Sequence, residues 1–212
     1  MGTEKKSDRT RRRLIRAAAV EIDRNGYERA TLARICRLAD VSMGALTFHF
    51  ASKSELADAV RADARVLVDA RMEQVANDPS PALGSAVGLT VGLARLLEGE
   101  AVVRSAARLA RDDPRGAVDW TAAWIPVVRE LVLRADREGE LRPGVDPDTV
   151  VALAACLLAG AEILARTPDE AAPARVVDQL ESMWRVVLGG AARASGESGG
   201  RRRGSARSGH RS

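Results

Sequence analysis

Apolar residues along this chain recur at spacings of three and four, and no useful stretch alternates with a period of two. The pattern predicts an all-α protein. Leu14, Ala17, Ala18 and Ile22 line the inner side of a first helix from about Asp8 to Arg24, which Gly26 ends. Thr31 caps a second helix in which Leu32, Ile35, Leu38 and Ala39 share a face. Asp40-Val41-Ser42 breaks that rhythm. Ser42 is placed to cap a third helix starting at Met43, with Leu46 and Phe50 as its core anchors. Ser52-Lys53-Ser54-Glu55 is a capping box, so a long fourth helix runs from about Lys53 to Ala76, with Arg61, Arg65 and Asp69 on a charged outer face.

Asn77-Asp78-Pro79-Ser80-Pro81 interrupts the helical pattern and marks a boundary. Further helices are expected near 82–97, 101–111, 117–138, 147–166 and 170–193. After Ser195 the chain is Gly, Ser and Arg with almost nothing apolar, and a disordered basic tail is expected. The expected organisation is a head at 1–56, a larger helical body at 57–194 and the tail at 195–212.

Two short helices around a three-residue turn have helix-turn-helix geometry, and the second is sized for a DNA major groove. A helical hairpin in an unrelated bundle is the alternative. Base reading falls to Met43, Gly44 and Thr47 with Ser42, the exposed side of the third helix. That helix carries no Arg, Asn or Gln, so bidentate hydrogen bonds to guanine or adenine are unavailable from it. Thymine-methyl contact, close backbone approach at Gly44 and readout of DNA shape remain. Thr31, Ser42, His49 and Lys53 are expected on the phosphate side, Lys53 at a helix N-terminus; His49 is equally a structural donor for the turn.

Charge sharpens this picture. The net +4 divides into +4 for residues 1–60, −4 for 61–194 and +4 for 195–212. Lys5, Lys6, Arg9, Arg11, Arg12, Arg13 and Arg16 precede or open the first helix, so the head faces a polyanion. Cys36 and Cys156 each fall in an apolar helical pattern and are expected as buried, unpaired thiols with no metal spacing. The N-terminus lacks an apolar leader, and the longest uncharged runs (79–94 and 149–161) are shorter than the ~20 residues of a membrane span. A cytoplasmic protein without membrane association is expected. Catalysis has little support: His49 and His210 are the only histidines, and there is no nucleophile elbow, phosphate loop or paired metal ligand. No cofactor is expected.

The body offers candidate binding groups. Trp120 and Trp124 lie one turn apart, with Pro126 bending the helix just after them; such indoles pack in a core or flank a cavity. Gly84, Gly88 and Gly92 form a smooth stripe, for tight packing or for a pocket wall. Thr90 and Glu162 are polar groups on apolar helices, either ligand-orienting or solvated edge residues. Val150, Leu153, Leu157, Gly160, Ala161 and Leu164 form one stripe, and Val176, Leu180, Met183, Trp184 and Val187 another. Both suit a two-fold dimer interface or intrachain packing.

Thr31, Ile35, Val41, Ser42, Gly44, Leu46, His49, Phe50, Ser52, Lys53 and Leu56 resemble, in register, the DNA-binding signature of the TetR family of bacterial repressors. The string Gly44 to Phe50 is similar to that of the γ-butyrolactone receptors of antibiotic-producing actinomycetes, as are, more loosely, Val103 to Leu109 and Met183-Trp184. Met43, Thr47 and Asp40 depart from the usual Lys, Tyr and Gly, which removes two phosphate contacts. The resemblance implies a nine-helix homodimeric repressor that binds a palindromic operator in double-stranded DNA. A small apolar inducer, such as a γ-butyrolactone, furan or butenolide controlling antibiotic genes, would release it. It also implies a ligand-contacting role for Trp124, fifteen residues before Gly139-Glu140-Leu141. A drug-sensing relative, or a helical ligand-binding bundle without DNA, are the alternatives.

Overall fold

The computed structural model describes residues 2–76, 78–112, 120–166 and 176–191, with side chains from Ser7 to Gly189. Among them are nine helices: α1 Gly2–Arg29, α2 Leu32–Ala39, α3 Met43–His49, α4 Lys53–Ala76, α5 Ala82–Gly99, α6 Ala101–Asp112, α7 Trp120–Arg137, α8 Pro147–Leu164 and α9 Val176–Ala191. The expected starts of α7 and α9 and the basic tail at 195–212 lie outside the described residues. No strand occurs among the described residues. The first helix begins earlier than Asp8, because nothing between Thr3 and Ser7 opposes helix.

Local chemistry sets the boundaries. Gly26 breaks α1 with φ 77° and ψ 166°, a conformation L side chains rarely adopt; a Cβ there would also lie 2.8 Å from the Arg108 guanidinium. The α2–α3 turn closes as a Schellman motif, Asp40 N–H to Arg37 O and Val41 N–H to Cys36 O. Its left-handed residue is Asp40, at φ 50°, and Arg13 donates to both the carbonyl and the carboxylate of that residue, at 3.1 and 3.2 Å. That ion pair accompanies an aspartate where the signature this segment resembles carries glycine. Two body helices are capped from a distance. The Glu140 carboxylate accepts from the N–H groups of Ala82 and Leu83 at the start of α5, both at 2.8 Å, and Glu98 accepts from Val177 near the start of α9.

Two apolar cores result. The head core gathers Leu14, Ile15, Ile22, Ile35, Leu46, Phe50, Leu56 and Val60, and takes Leu109 from α6. The body core surrounds α5, with Leu89, Leu93 and Leu97 against Trp124, Val132, Leu158 and Trp184. α5 and α8 are long and apolar enough to cross a membrane by length and composition, which corrects the expectation from uncharged runs alone. The α5 window is 61% buried inside the chain, as a core helix is, whereas that of α8 is 33% buried.

Several residues face otherwise than expected. Leu38 is exposed, because α2 is covered only on the side holding Ile35, Cys36 and Ala39. Cys156 is exposed too, while Cys36 is buried and its thiol pKa is raised by desolvation. Of the two expected dimer stripes, Val150, Ala161, Leu180 and Trp184 are spent on the chain's own core. Leu164 and Met183 of those stripes stay uncovered, and the exposed apolar side runs on from them through Cys156 and Ile163 of α8 and Val186 of α9.

The glycine stripe has a definite occupant. Arg71 of α4 lies across α5, donating to Gly88 O at 2.6 Å, and a Cβ on Gly92 would fall on its Nε. Nothing lies within 4 Å of a Cβ built on Gly84. Burial lowers the Arg71 pKa, the nearby charge of Arg95 adds to that, and Asp78 opposes it.

Candidate functional site

The head presents α3 as its outer helix. Ser42, the N-cap, accepts from Ala45 N–H at 3.1 Å, and Thr31 caps α2 by accepting from Arg34 N–H at 3.3 Å. Leu46 and Phe50, one turn apart, turn inward, which leaves Met43, Gly44 and Thr47 exposed as expected. The Thr47 hydroxyl donates back to Gly44 O at 3.1 Å, so its methyl is the freer half. Phe48 is 80% exposed and was missed by the sequence reading. The signal was available: two residues from each core anchor on a 3.6-residue helix is the opposite face. His49 is half-buried, its ring 5.2 Å from Phe48 and 6.5 Å from Phe50.

Lys53 departs from its expected place on the phosphate side. Its ammonium donates to Tyr27 O at 2.8 Å, Ala30 O at 3.2 Å and Glu28 O at 3.4 Å, and it lies 4.3 Å from the Tyr27 ring centroid. The helix ends at Arg29, so the last carbonyls of α1 have no N–H one turn on, and Lys53 satisfies them. Of the N-terminal arginines, Arg11 stacks over Phe50 at 5.3 Å and Arg13 holds Asp40, while Arg9, Arg12 and Arg16 are exposed.

In the body, the ligand candidates divide. Trp124 is fully buried, with its Nε1 lacking a hydrogen-bond partner among the described residues, and its ring lies 6.4 Å from that of Trp120 at 61°. Trp120 is half-buried and lines a cavity of about 240 Å³ between three helices. Its walls are Arg61, Ala62, Ala64, Arg65 and Val68 of α4, Ala106 of α6, and Trp120 and Ala123 of α7. Arg61 therefore turns toward a cavity rather than a solvated outer face. α7 passes through Pro126, whose ring is exposed, without interruption.

Thr90 and Glu162 are structural. The Thr90 hydroxyl accepts from Trp184 Nε1 at 2.9 Å, both residues buried, and donates to Val87 O at 2.8 Å. Glu162 is buried and pairs with Arg166 at 2.7 Å and Arg111 at 3.1 Å. Its carboxyl pKa is raised by burial and held back by Arg111. Arg166 also approaches Asp23 of α1 at 3.4 Å, and Arg104 of α6 binds Asp23 at 2.6 Å. The group fastens α1 to α6 and α8.

Residues 14–60, the head just described, match the model of bacterial regulatory proteins of the tetR family. TylP, a TetR regulator from Streptomyces fradiae, is 30% identical, with 91% of this chain and 84% of that chain covered at a TM-score of 0.58. The chain belongs to the TetR family. That family is one of regulators, not of enzymes. CprB from Streptomyces coelicolor, solved in complex with its biological operator sequence, is 28% identical at a TM-score of 0.74, with 89% and 91% of the two chains covered. The A-factor receptor protein of Streptomyces griseus is 30% identical over 190 residues, which are 89% of this chain and 66% of that protein. The chain thus spans just under two thirds of the length of that curated relative.

Proposed function

We propose that this TetR-family chain is a homodimeric transcriptional repressor that binds a palindromic operator and is released by a small, largely apolar signal. The observation that carries this reading is α3, which turns Met43, Gly44, Thr47 and Phe48 to solvent from a head whose first helix bears exposed Arg9, Arg12 and Arg16. Thr31 and Ser42 sit at helix N-termini on the same head, where N–H groups meet phosphate. His49 is the remaining phosphate-side candidate. CprB, solved with its operator, supports DNA as the partner.

The exposed apolar residues of α8 and α9 support a two-fold dimer, which places two copies of α3 one DNA turn apart, about 34–36 Å. The cavity beside Trp120 and the unmet donor of Trp124 support a ligand in the body, and the resemblance of Gly44 to Phe50 to the γ-butyrolactone receptors of antibiotic-producing actinomycetes supports a γ-butyrolactone-like signal governing antibiotic genes. The ligand acts by population shift: it weakens operator binding by its differential affinity for the DNA-incompetent spacing of the two heads. α4, about 36 Å long at 1.5 Å per residue, links head to cavity. The protein works in the cytoplasm without a membrane or cofactor.

Gel shift against the DNA upstream of the protein's own gene tests the reading. A retarded complex is expected, weakening by orders of magnitude between about 50 and 200 mM salt as several phosphates are released. A folded dimer that retards no fragment at low salt would instead be a helical bundle without DNA.

A further inference from the structure

We infer that Asp40 is an affinity-setting residue: its carboxylate cancels the charge of Arg13 beside the N-terminus of α3 and loosens the head's grip on the DNA backbone. This rests on the DNA-binding reading above and adds a residue that works against it.

Asp40 is the one acidic residue between Thr31 and Ser54, a segment whose other charges are Arg34, Arg37 and Lys53. It is also the only non-glycine residue at positive φ among those described, in the left-handed region at φ 50° and ψ 56°. Glycine enters that region without steric cost, and aspartate with a modest one. Glycine would also bring no negative charge toward DNA. The position therefore carries two avoidable costs, one in the backbone and one against a polyanion, and both arrive with the same side chain.

That side chain is 97% exposed, so its carboxylate stands in solvent rather than in the fold. There it meets Arg13, which donates to it at 3.2 Å and to the Asp40 carbonyl at 3.1 Å. Of the arginines from Arg9 to Arg16, Arg13 alone pairs with a carboxylate among the described residues. Only Val41 separates Asp40 from Ser42, the N-cap of α3, so their Cα atoms are at most ~7.6 Å apart. A Debye length is about 10 Å at 0.1 M salt, so a phosphate meeting the start of α3 feels both members of the pair. Together they present no net charge to it, where Arg13 by itself would present one. A weaker hold on the backbone lowers the differential affinity that a ligand must supply to free the operator.

The test measures affinity of the full-length protein for a random-sequence duplex of about 30 base pairs, between about 50 and 200 mM salt. Asp40→Asn keeps a side-chain oxygen and the carbonyl for Arg13 and tolerates the left-handed conformation, so it changes charge alone. Its slope of log affinity against log salt should steepen by up to about 0.9, the signature of one more phosphate neutralised, with several-fold tighter binding near 100 mM. Arg13→Met leaves the carboxylate uncancelled and should bind more weakly than wild type. The double variant, whose pair again has no net charge, should return to the wild-type slope. An Asp40→Asn slope equal to that of wild type overturns the proposal. So does a steeper slope that persists in the double variant, wild-type affinity in Arg13→Met, or no duplex binding by any of the proteins. The gel shift on upstream DNA is scored separately with wild-type protein, so an unchanged slope leaves the repressor reading standing.

Discussion

The Trp184 indole N–H donates to the Thr90 hydroxyl across 2.9 Å in the buried interior, joining residues 94 positions apart and pinning α9 to α5. The indole N–H and the threonine O–H are both used within the fold, so neither side chain has a donor left for a ligand. Thr90→Val keeps the shape and deletes the acceptor, leaving a buried donor unmet, so it should cost about 1–3 kcal/mol in urea unfolding. Thr90→Ser should stay close to wild type. Equal stability of the valine variant would show that the bond carries no weight.

The glycine stripe of α5 yields a paired prediction of opposite sign. Gly84→Ala meets nothing, and should stabilise by about 0.5–1 kcal/mol through helix propensity alone. Gly92→Ala must expel Arg71 and lose its bond to Gly88 O; a charge-assisted bond is worth about 1.5–3 kcal/mol, which exceeds the propensity gain. Thermal melts of the two variants should therefore move in opposite directions.

Phe48→Ala should leave stability within about 0.5 kcal/mol, since the ring is 80% exposed, yet weaken operator binding. If the ring meets thymine methyl groups, operator DNA built with uracil in place of thymine should bind wild type less well and the variant no differently. Equal loss on both DNAs in both proteins would assign Phe48 a role other than methyl contact.

Lys53→Met keeps an apolar stem but removes the ammonium from the Tyr27 ring and from three carbonyls at the end of α1. We expect a loss of about 1–2 kcal/mol in chemical unfolding, part of the bond energy being replaced by water at this half-buried site. Operator affinity measured well below the melting temperature then separates a phosphate contact from this clamp. Unchanged affinity in the folded variant makes Lys53 a positioning residue.

Asp146 caps α8, accepting from the Thr149 hydroxyl and from the N–H groups of Asp148 and Thr149; the hydroxyl bond first, and then the backbone bonds, hold its pKa below the ordinary Asp value. A depressed carboxyl pKa adds stability above the unfolded value, and this is lost as pH falls through the folded one. Asp146→Asn can cap without titrating, so the stability gap between wild type and this variant should move against wild type as pH drops below about 4. A gap independent of pH would remove the ionised cap from the account.

What the sequence disclosed follows the range of each interaction. The caps at Thr31, Ser42 and Ser52 were legible because donor and acceptor lie within a few residues; at Ser52 only the return bond differs, Glu55 accepting from Ala51 N–H. The steric demand of Gly92 was visible, but its cause, Arg71, stands on another helix. Thr90 and Glu162 looked available because Trp184 and Arg111 are remote in the chain. Leu38 and Cys156 were assigned to the wrong side for a similar reason. Periodicity shows that a helix has an apolar face, while its neighbours decide which part of that face is covered.

Leu109 completes the head core from α6, and Arg108 donates to Asp23 O at 2.7 Å while lying against Gly26. The DNA-facing unit is therefore not a cassette that can be cut at residue 56 and exchanged. A transplanted head would meet this leucine and this guanidinium as foreign surfaces. Re-targeting the chain to a new operator is better attempted by rewriting the outer side of α3 in place, leaving the seam with α6 untouched.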